Sequence, residues 1–409
     1  MKLKLAPPSK LRIKARIAIT GSKSETNRLL LLQALYPNLS IKNKSNADDA
    51  KVMQKGVSTS KGIVDIHHAG TAMRFLTSFF AVQDGKEVIL TGSDRMKERP
   101  IKILVEALQQ LGADIEYLEN EGYPPLKIRG KTIVESQVSL PANISSQYIS
   151  SLCLIGGFLE KGLRIDLVGK ITSIPYIKMT LALLERIGIP TQFEGNTIQV
   201  FATASLPSHT LVVESDWSAA SYYYSMLAIA DLGSEIVLSA YKKESLQGDS
   251  ILAEIYQNFG VHTSYKEDTI TLSKVSNPKV KFIELELSNA PDIAQTIAVT
   301  CLGLGMGCYL RGLHTLPIKE TDRLTAMKTE LEKFGASVII NHESLGLKPT
   351  NQMIGNIVID TYNDHRMAMA FAPLAIKTDL VINDFEVVSK SYPNFWEDIK
   401  RIGFNITYL

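Results

Sequence analysis

Several short strings in this chain carry side chains whose types and spacing could do chemistry. In KETDRL (319–324), Glu320 and Arg323 stand three apart and Lys319 and Arg323 four apart near an expected helix start, so cations and a carboxylate can face one pocket. Nearby cations lower the proton affinity of such a carboxylate and burial raises it, a balance that acid-base catalysis exploits. A surface salt-bridge ladder is the ordinary alternative. NDHRMAM (363–369) offers a second carboxylate, a histidine and Arg366 at another helix start.

The remaining strings hold anions rather than move protons. GSKSETNR (21–28) places Lys23 and Arg28 five apart around the amides that open a helix. It lacks the G-x-x-x-x-G-K-[ST] spacing of a phosphate-loop nucleotide site, but its chemistry still suits a phosphate or carboxylate. A capped surface helix with solvated charges is the competing reading. In HAGTAMRF (68–75), Gly70 permits close approach of a ligand to the backbone. His67 and His68 have no further ligand at metal-binding spacing, so no metal is expected. DRMKERP (94–100) and Lys390 in VSKSYP (388–393) read alone as solvated charge; Arg99, at a helix entrance, gains meaning only beside the others.

These strings sit within a long-period repeat. Amphipathic helices ending in glycine, each followed by a strand-like run, occur near Gly112, Gly188, Gly260, Gly335 and Gly403, with a shorter copy ending near Gly56. Upstream of each lies a second helix, polar in its first turn and then almost without charge, beginning at GSKSETNR, AGTAMRF, NISSQY, SDWSAAS, NAPDIAQ and NDHRMAM. Helices apolar all round are buried, so each unit should hold an inner helix, an outer helix and strands. Six units suggest an α/β protein of two lobes with three units each. The inner helices open with capping or small residues; were those of a lobe parallel, their positive dipole ends would converge, and two such faces opposed would form an anion-binding cleft.

Composition narrows the classes. The chain has 409 residues, 45% hydrophobic and 21% charged, enough for more than one core and wrong for a disordered or fibrous protein. A net charge of +2 gives no global field for nucleic acid or anionic membrane, so any positive site must be local. Cys153, Cys301 and Cys308 form neither a disulfide framework nor a zinc pattern and are expected as buried free thiols. The start has no apolar run before Pro7 and Pro8, and the apolar window Ile293 to Leu310 is interrupted by glycines and polar residues. A cytoplasmic protein is expected.

Taken in order, GSKSETNR, AGTAMR, RMKERP, SSQY, KETDRL and NDHRMAM resemble the motifs of the EPSP synthase (3-phosphoshikimate 1-carboxyvinyltransferase) family. The resemblance implies a two-lobed inside-out α/β barrel, each lobe three βαβαββ units with buried helices and outer sheets. It places residues 21–214 in the N-terminal lobe and 1–20 plus 215–409 in the C-terminal lobe. The implied reaction moves the enolpyruvyl group of phosphoenolpyruvate to the 5-hydroxyl of shikimate 3-phosphate and releases phosphate, with no cofactor and no metal, in a monomer.

Carried over by position, the resemblance assigns Lys23, Ser24, Arg28, Ser145, Ser146, Gln147, Ser173, Tyr176, Asp292, Thr315 and Lys319 to shikimate 3-phosphate. Lys23, Gly70, Arg99, Gln147, Arg323, Arg366 and Lys390 would hold phosphoenolpyruvate. Asp292 would be the base on the 5-hydroxyl and Glu320 the acid that protonates the methylene carbon, with Lys23 also catalytic and Asp364 and His365 in support. The sequence departs from the family at His68, Phe75, Thr315 and Ile174, where Asn, Pro, Asn and Lys are usual, and its first unit is short. Retention of Gly70 implies inhibition by the family's inhibitor glyphosate, competitive with phosphoenolpyruvate. A cleft crowded with cations repels itself, so the lobes are expected to stand apart and close when the first phosphate binds. Two rival readings stand beside this one: a UDP-N-acetylglucosamine enolpyruvyl transferase, which would need a cysteine on a polar loop, and a non-catalytic polyanion-binding scaffold.

Overall fold

The first twenty residues supply two strands to sheets whose other members come from the second half of the chain. In the computed structural model, which describes residues 1–142, 145–350 and 352–409, the chain divides into two units, Gly21–Val213 and Met1–Thr20 with Glu214–Leu409. Asn143 and Ile144, the expected opening of the third inner helix, lie outside the described residues.

Among the described residues, five four-stranded sheets share one strand order. Lys61–Asp65 runs parallel to Glu87–Thr91, which pairs antiparallel with Leu126–Arg129, itself antiparallel to Asp114–Tyr117. The sheets built on Gln137–Pro141 and on Phe282–Glu286 repeat this order. In the other two, the chain start completes the pattern: Lys14–Ile17 runs parallel to Glu235–Ser239, and Lys2–Ala6 lies between Leu380–Asn383 and Asn405–Tyr408. Parallel neighbours require a crossover; an inner helix supplies it in four of these sheets, whereas the whole unit Gly21–Val213 and the helix Trp217–Ile229 intervene between Lys14–Ile17 and Glu235–Ser239. The first repeat is reduced as its sequence suggests: Leu39–Lys42 pairs only with His209–Val212, in a two-stranded sheet.

The helices low in charge are the buried ones. Gly70–Ala81, Ser146–Gly156, Trp217–Ile229, Ala294–Gly303 and His365–Phe371 bury almost every residue described, and Lys23–Leu35 exposes none fully. Their serines and threonines would each cost about 1–3 kcal/mol if left unpaired. They bond to one another instead. Ser151 donates to the Arg74 carbonyl at 2.7 Å and meets Ser78 Oγ at 2.6 Å, Ser221 meets Thr296 at 3.0 Å, and Thr300 meets Ser225 at 2.8 Å. Pro373 accompanies the change from α to 3-10 geometry after Phe371, as a residue without an N–H does.

The glycines that follow the outer helices, Gly112, Gly188, Gly260, Gly335 and Gly403, all adopt positive φ, the left-handed conformation expected at a helix end. Gly56 differs. It lies inside Asp48–Ser58, where a Cβ would meet Leu76 Cδ1 at 2.4 Å, so close helix approach rather than termination requires glycine there. The expected helix before Gly260 is also broken, into 3-10, α and 3-10 segments at Gly248–Ile251, Leu252–Ile255 and Tyr256–Phe259. Among the described residues, no helix is long and apolar enough to cross a membrane.

Candidate active site

In the unit containing the C-terminal half, three sequence strings meet at one arginine, and a fourth reaches it through Glu320. Asp322 caps the helix Arg323–Lys333 through the amides of Leu324 and Thr325, which places Arg323 at its first residue and leaves Lys319 and Glu320 in the preceding turn. Arg323 Nη1 donates to Asp292 Oδ1 and Nη2 to Glu320 Oε2, each at 2.9 Å, while Nε reaches Asp364 Oδ2 at 2.6 Å. The three nitrogens of the planar guanidinium thus each meet a carboxylate.

More cations close the cluster. Arg366 Nη2 lies 3.2 Å from Asp292 Oδ2, and Nη1 donates to the Asp292 carbonyl at 3.2 Å. Lys319 Nζ stands 3.6 Å from Asp292 Oδ1, and Lys390 Nζ 2.9 Å from Glu320 Oε1. Asp364 caps the helix His365–Phe371 through the Arg366 amide at 2.9 Å. Burial alone would push Asp292 up, but Arg366, Lys319 and Arg323 together hold its carboxyl well below the usual carboxylate range. Burial likewise opposes charge on Arg323, and Asp364, Glu320 and Asp292 overcome it, raising the guanidinium above its ordinary value. Lys390 is 9% exposed, so it is a buried partner of Glu320 rather than the exposed lysine that its local sequence suggests.

Thr315 stands apart from these contacts: its Oγ1 is buried without a hydrogen-bond partner among the described residues. His365 Nδ1 lies 3.6 Å from Asp364 Oδ1, beside the carboxylate but beyond good hydrogen-bond distance.

The other unit gathers its residues into small groups. Ser22 caps the helix Lys23–Leu35, and Lys23 Nζ pairs with Asp49 Oδ2 at 3.1 Å. Arg28 is buried; its guanidinium donates to Thr180 Oγ1 at 2.7 Å, to the Ser24 carbonyl at 2.8 Å, to Ser150 Oγ at 3.2 Å and to the Tyr176 carbonyl at 3.3 Å, and lies over the Phe75 ring. Burial pulls Arg28 down to about 10, which still leaves it charged at neutral pH. Phe75 is therefore a core residue stacked on a cation.

Gly70 and Thr71, at the start of Gly70–Ala81, meet two more of the expected residues. A Cβ on Gly70 would lie 2.5 Å from Arg99 Nη1, and Gln147 Nε2 donates to Thr71 Oγ1 at 3.2 Å. Ser145 caps Ser146–Gly156 by accepting from the Gln147 amide at 3.3 Å. Ser173 is left-handed at φ 53°, immediately before the helix Ile174–Arg186 that carries Tyr176. The helix starts thus divide. Ser22, Ser145, Asp216 and Asp364 make ordinary side-chain caps, whereas the Gly70 helix has no side-chain cap and faces a guanidinium.

Sequence reasoning missed Asp49, Thr180, Ser150, Ser218 and Asp249, each of which contacts one of the expected cations or, for Asp249, the Ser218 that does. They carry no local signal. A single serine in a buried helix, or an aspartate near a helix start, is the commonest kind of core or capping residue.

A family model described as EPSP synthase (3-phosphoshikimate 1-carboxyvinyltransferase) matches residues 38–399. A 3-phosphoshikimate 1-carboxyvinyltransferase of Bacteroides fragilis is 43% identical over 99% of both chains, and one of Haemophilus influenzae is 36% identical over 98% of this chain and 99% of its own. A solved EPSP synthase structure from Acinetobacter baumannii shares the fold at a TM-score of 0.80 with 19% identity, covering 100% of both chains.

Proposed function

The chain belongs to the EPSP synthase family, and from that premise we propose how its residues work. The reaction transfers the enolpyruvyl group of phosphoenolpyruvate to the 5-hydroxyl of shikimate 3-phosphate and releases inorganic phosphate, a step of the shikimate pathway. The observation that carries the assignment of roles is the sharing of Arg323 by Asp292 and Glu320 at 2.9 Å each, which puts a candidate base and a candidate acid on two arms of one rigid group.

In the proposed sequence, Asp292 takes the proton of the 5-hydroxyl as its oxygen bonds to C2 of phosphoenolpyruvate. Glu320 gives a proton to C3. The C–O bond to phosphate then breaks, C3 returns a proton to Glu320 as the double bond re-forms, and the proton held by Asp292 leaves with the phosphate, so the protons balance. Both carboxylates are paired with cations, a state that suits neither a base nor an acid. Anionic substrates resolve this. A phosphate or carboxylate that draws Arg366, Lys319, Arg323 or Lys390 toward itself leaves Asp292 more basic and lets Glu320 carry a proton. Pre-placed cations stabilise the departing phosphate in the same way. Lys23, Ser24, Arg28, Ser145, Ser146, Gln147, Ser173 and Tyr176 are proposed for shikimate 3-phosphate. Gly70, Arg99, Gln147 and Lys23 are proposed for phosphoenolpyruvate.

Arg28 already gives its hydrogen bonds to Thr180, Ser24, Ser150 and Tyr176, so its proposed part is to order Ser24 and Tyr176 and to add positive charge. The three cysteines are buried free thiols, which supports work in a reducing compartment and leaves no described cysteine on a polar loop to act as the acid of the rival transferase. Phosphate release that requires both substrates tests the reaction. Its loss in Asp292→Ala and Glu320→Ala with binding largely retained tests the roles; a binding scaffold would release none in any form.

A further inference from the structure

Asp249 is a buried carboxyl group to which the proposed reaction gives no part. It sits in the 3-10 segment Gly248–Ile251, 4% exposed, with Oδ2 accepting a short hydrogen bond from Ser218 Oγ and Oδ1 buried without a partner among the described residues. A buried carboxyl half satisfied in this way is costly and calls for an explanation. Ser218 provides one. Its Oγ accepts from Arg366 Nη2 at 3.3 Å, and the same nitrogen lies 3.2 Å from Asp292 Oδ2. Asp249, Ser218, Arg366 and Asp292 therefore form one continuous chain of contacts from the 3-10 segment to the proposed base.

We propose that Asp249, acting through the Ser218 hydroxyl, is a positioning residue that aims the Arg366 guanidinium between Asp292 and the incoming phosphoenolpyruvate. This rests on the reading of Arg366 as part of the phosphoenolpyruvate site. Asp249 fixes the direction of the Ser218 O–H, so the serine lone pairs face Arg366 and its Nη2 cannot swing away from Asp292. The charged groups that act on Asp249 are Asp292 and Asp216, which resist its ionisation, and Arg366, which favours it. Burial dominates and pushes Asp249 up to about 7, so near neutral pH it passes between acid and carboxylate. As an acid it orients Arg366 without drawing on its charge; as a carboxylate it competes with an anionic substrate for that charge.

The test compares steady-state phosphate release by the full chain and its variants across pH, with both substrates varied. Asp249→Ala is expected to raise KM for phosphoenolpyruvate about tenfold, the scale of one lost charge-assisted hydrogen bond, while kcat and KM for shikimate 3-phosphate change less than about twofold. Ser218→Ala should do the same, and the double variant should be no worse than Asp249→Ala, because the effect passes through the serine. Asp249→Asn keeps the shape and removes the ionisation. Below pH 7 it should match the parent, and above pH 7 it should bind phosphoenolpyruvate more tightly; taking the ratio at each pH cancels the substrate's own titration. Additive effects of Asp249→Ala and Ser218→Ala, an unchanged KM for phosphoenolpyruvate, or a ratio independent of pH would each overturn the proposal. Failure of Asp249→Ala to fold leaves Asp249→Asn and Ser218→Ala to decide. Absence of two-substrate phosphate release in the parent would instead overturn the reaction on which the proposal rests.

Discussion

Arg323 and Asp364 meet at 2.6 Å, and neither side chain is more than 2% exposed. They belong to different helices, one opening an outer helix and the other capping an inner helix. Asp364 also accepts from the Arg366 amide, so this one carboxylate fixes the relative positions of the two arginines that hold Asp292. The cluster as a whole sets Lys319, Arg323, Arg366 and Lys390 against Asp292, Glu320 and Asp364, a small positive excess that suits anionic substrates.

Removing one partner from such a pair leaves an uncompensated charge in the interior. Asp364→Ala is therefore expected to lower the stability of the unit containing it by about 3–5 kcal/mol, read as an earlier chemical-denaturation midpoint. A midpoint within error of the parent would show that solvent reaches Arg323 easily.

Glu320→Gln keeps the size and a hydrogen-bonding oxygen near Arg323 but cannot cycle a proton. Turnover should fall by about 100-fold or more with both KM values within about threefold, the signature of a lost proton-transfer group rather than a lost binding group. Equal losses in turnover and in affinity would place Glu320 in substrate binding instead.

Asp292 and Asp249 bend the pH-stability curve in opposite senses. The depressed value of Asp292 contributes stability that is present above the ordinary carboxylate value of about 4 and lost as pH falls below it. Asp249 is raised to about 7, so its contribution is fully present below about pH 4 and disappears as pH climbs to 7, a loss of up to about 4 kcal/mol. Denaturation of Asp249→Asn should show that mid-pH decline flattened, and Asp292→Asn should show the acid-side decline flattened. Curves parallel to the parent's in both variants would contradict the assignment.

Gly70→Ala places a methyl group within 2.5 Å of where Arg99 Nη1 now lies. The guanidinium must shift, and a displacement of about 1 Å in a positioned group costs up to about 100-fold. KM for phosphoenolpyruvate should rise at least tenfold on that scale with shikimate 3-phosphate binding retained, as titration calorimetry with each substrate would show. The same substitution should weaken inhibition by glyphosate if that compound occupies the phosphoenolpyruvate position; unchanged inhibition would place it elsewhere.

Much of this fold was readable because glycine punctuates it. The helices ending at Gly112, Gly188, Gly335 and Gly403 needed only an amphipathic run and a residue free to take positive φ. Before Gly260 the same pattern misled, because Tyr256 and Phe259, three apart, meet edge to face at 5.0 Å and Tyr256 also reaches Tyr224 and Thr300. A three-residue spacing on one face is what a 3-10 turn provides, and tertiary contacts rather than local propensity selected it. In the site, charged residues clustered in short strings were legible. Their anchors were not: Asp49 reaches Lys23 across 26 positions and Ser218 reaches Arg366 across 148, and only the packed chain brings such residues together.

The pairing of Lys2–Ala6 with Leu380–Asn383 and Asn405–Tyr408 has a consequence for biosynthesis. The unit Gly21–Val213 is one unbroken stretch and can close while the ribosome is still reading the second half of the message. The strand Lys2–Ala6 must wait, unpaired, until Leu380–Asn383 and Asn405–Tyr408 have been made. Assembly of that sheet is the most non-local step in the molecule and the one most exposed to chaperones and to mispairing with other nascent chains.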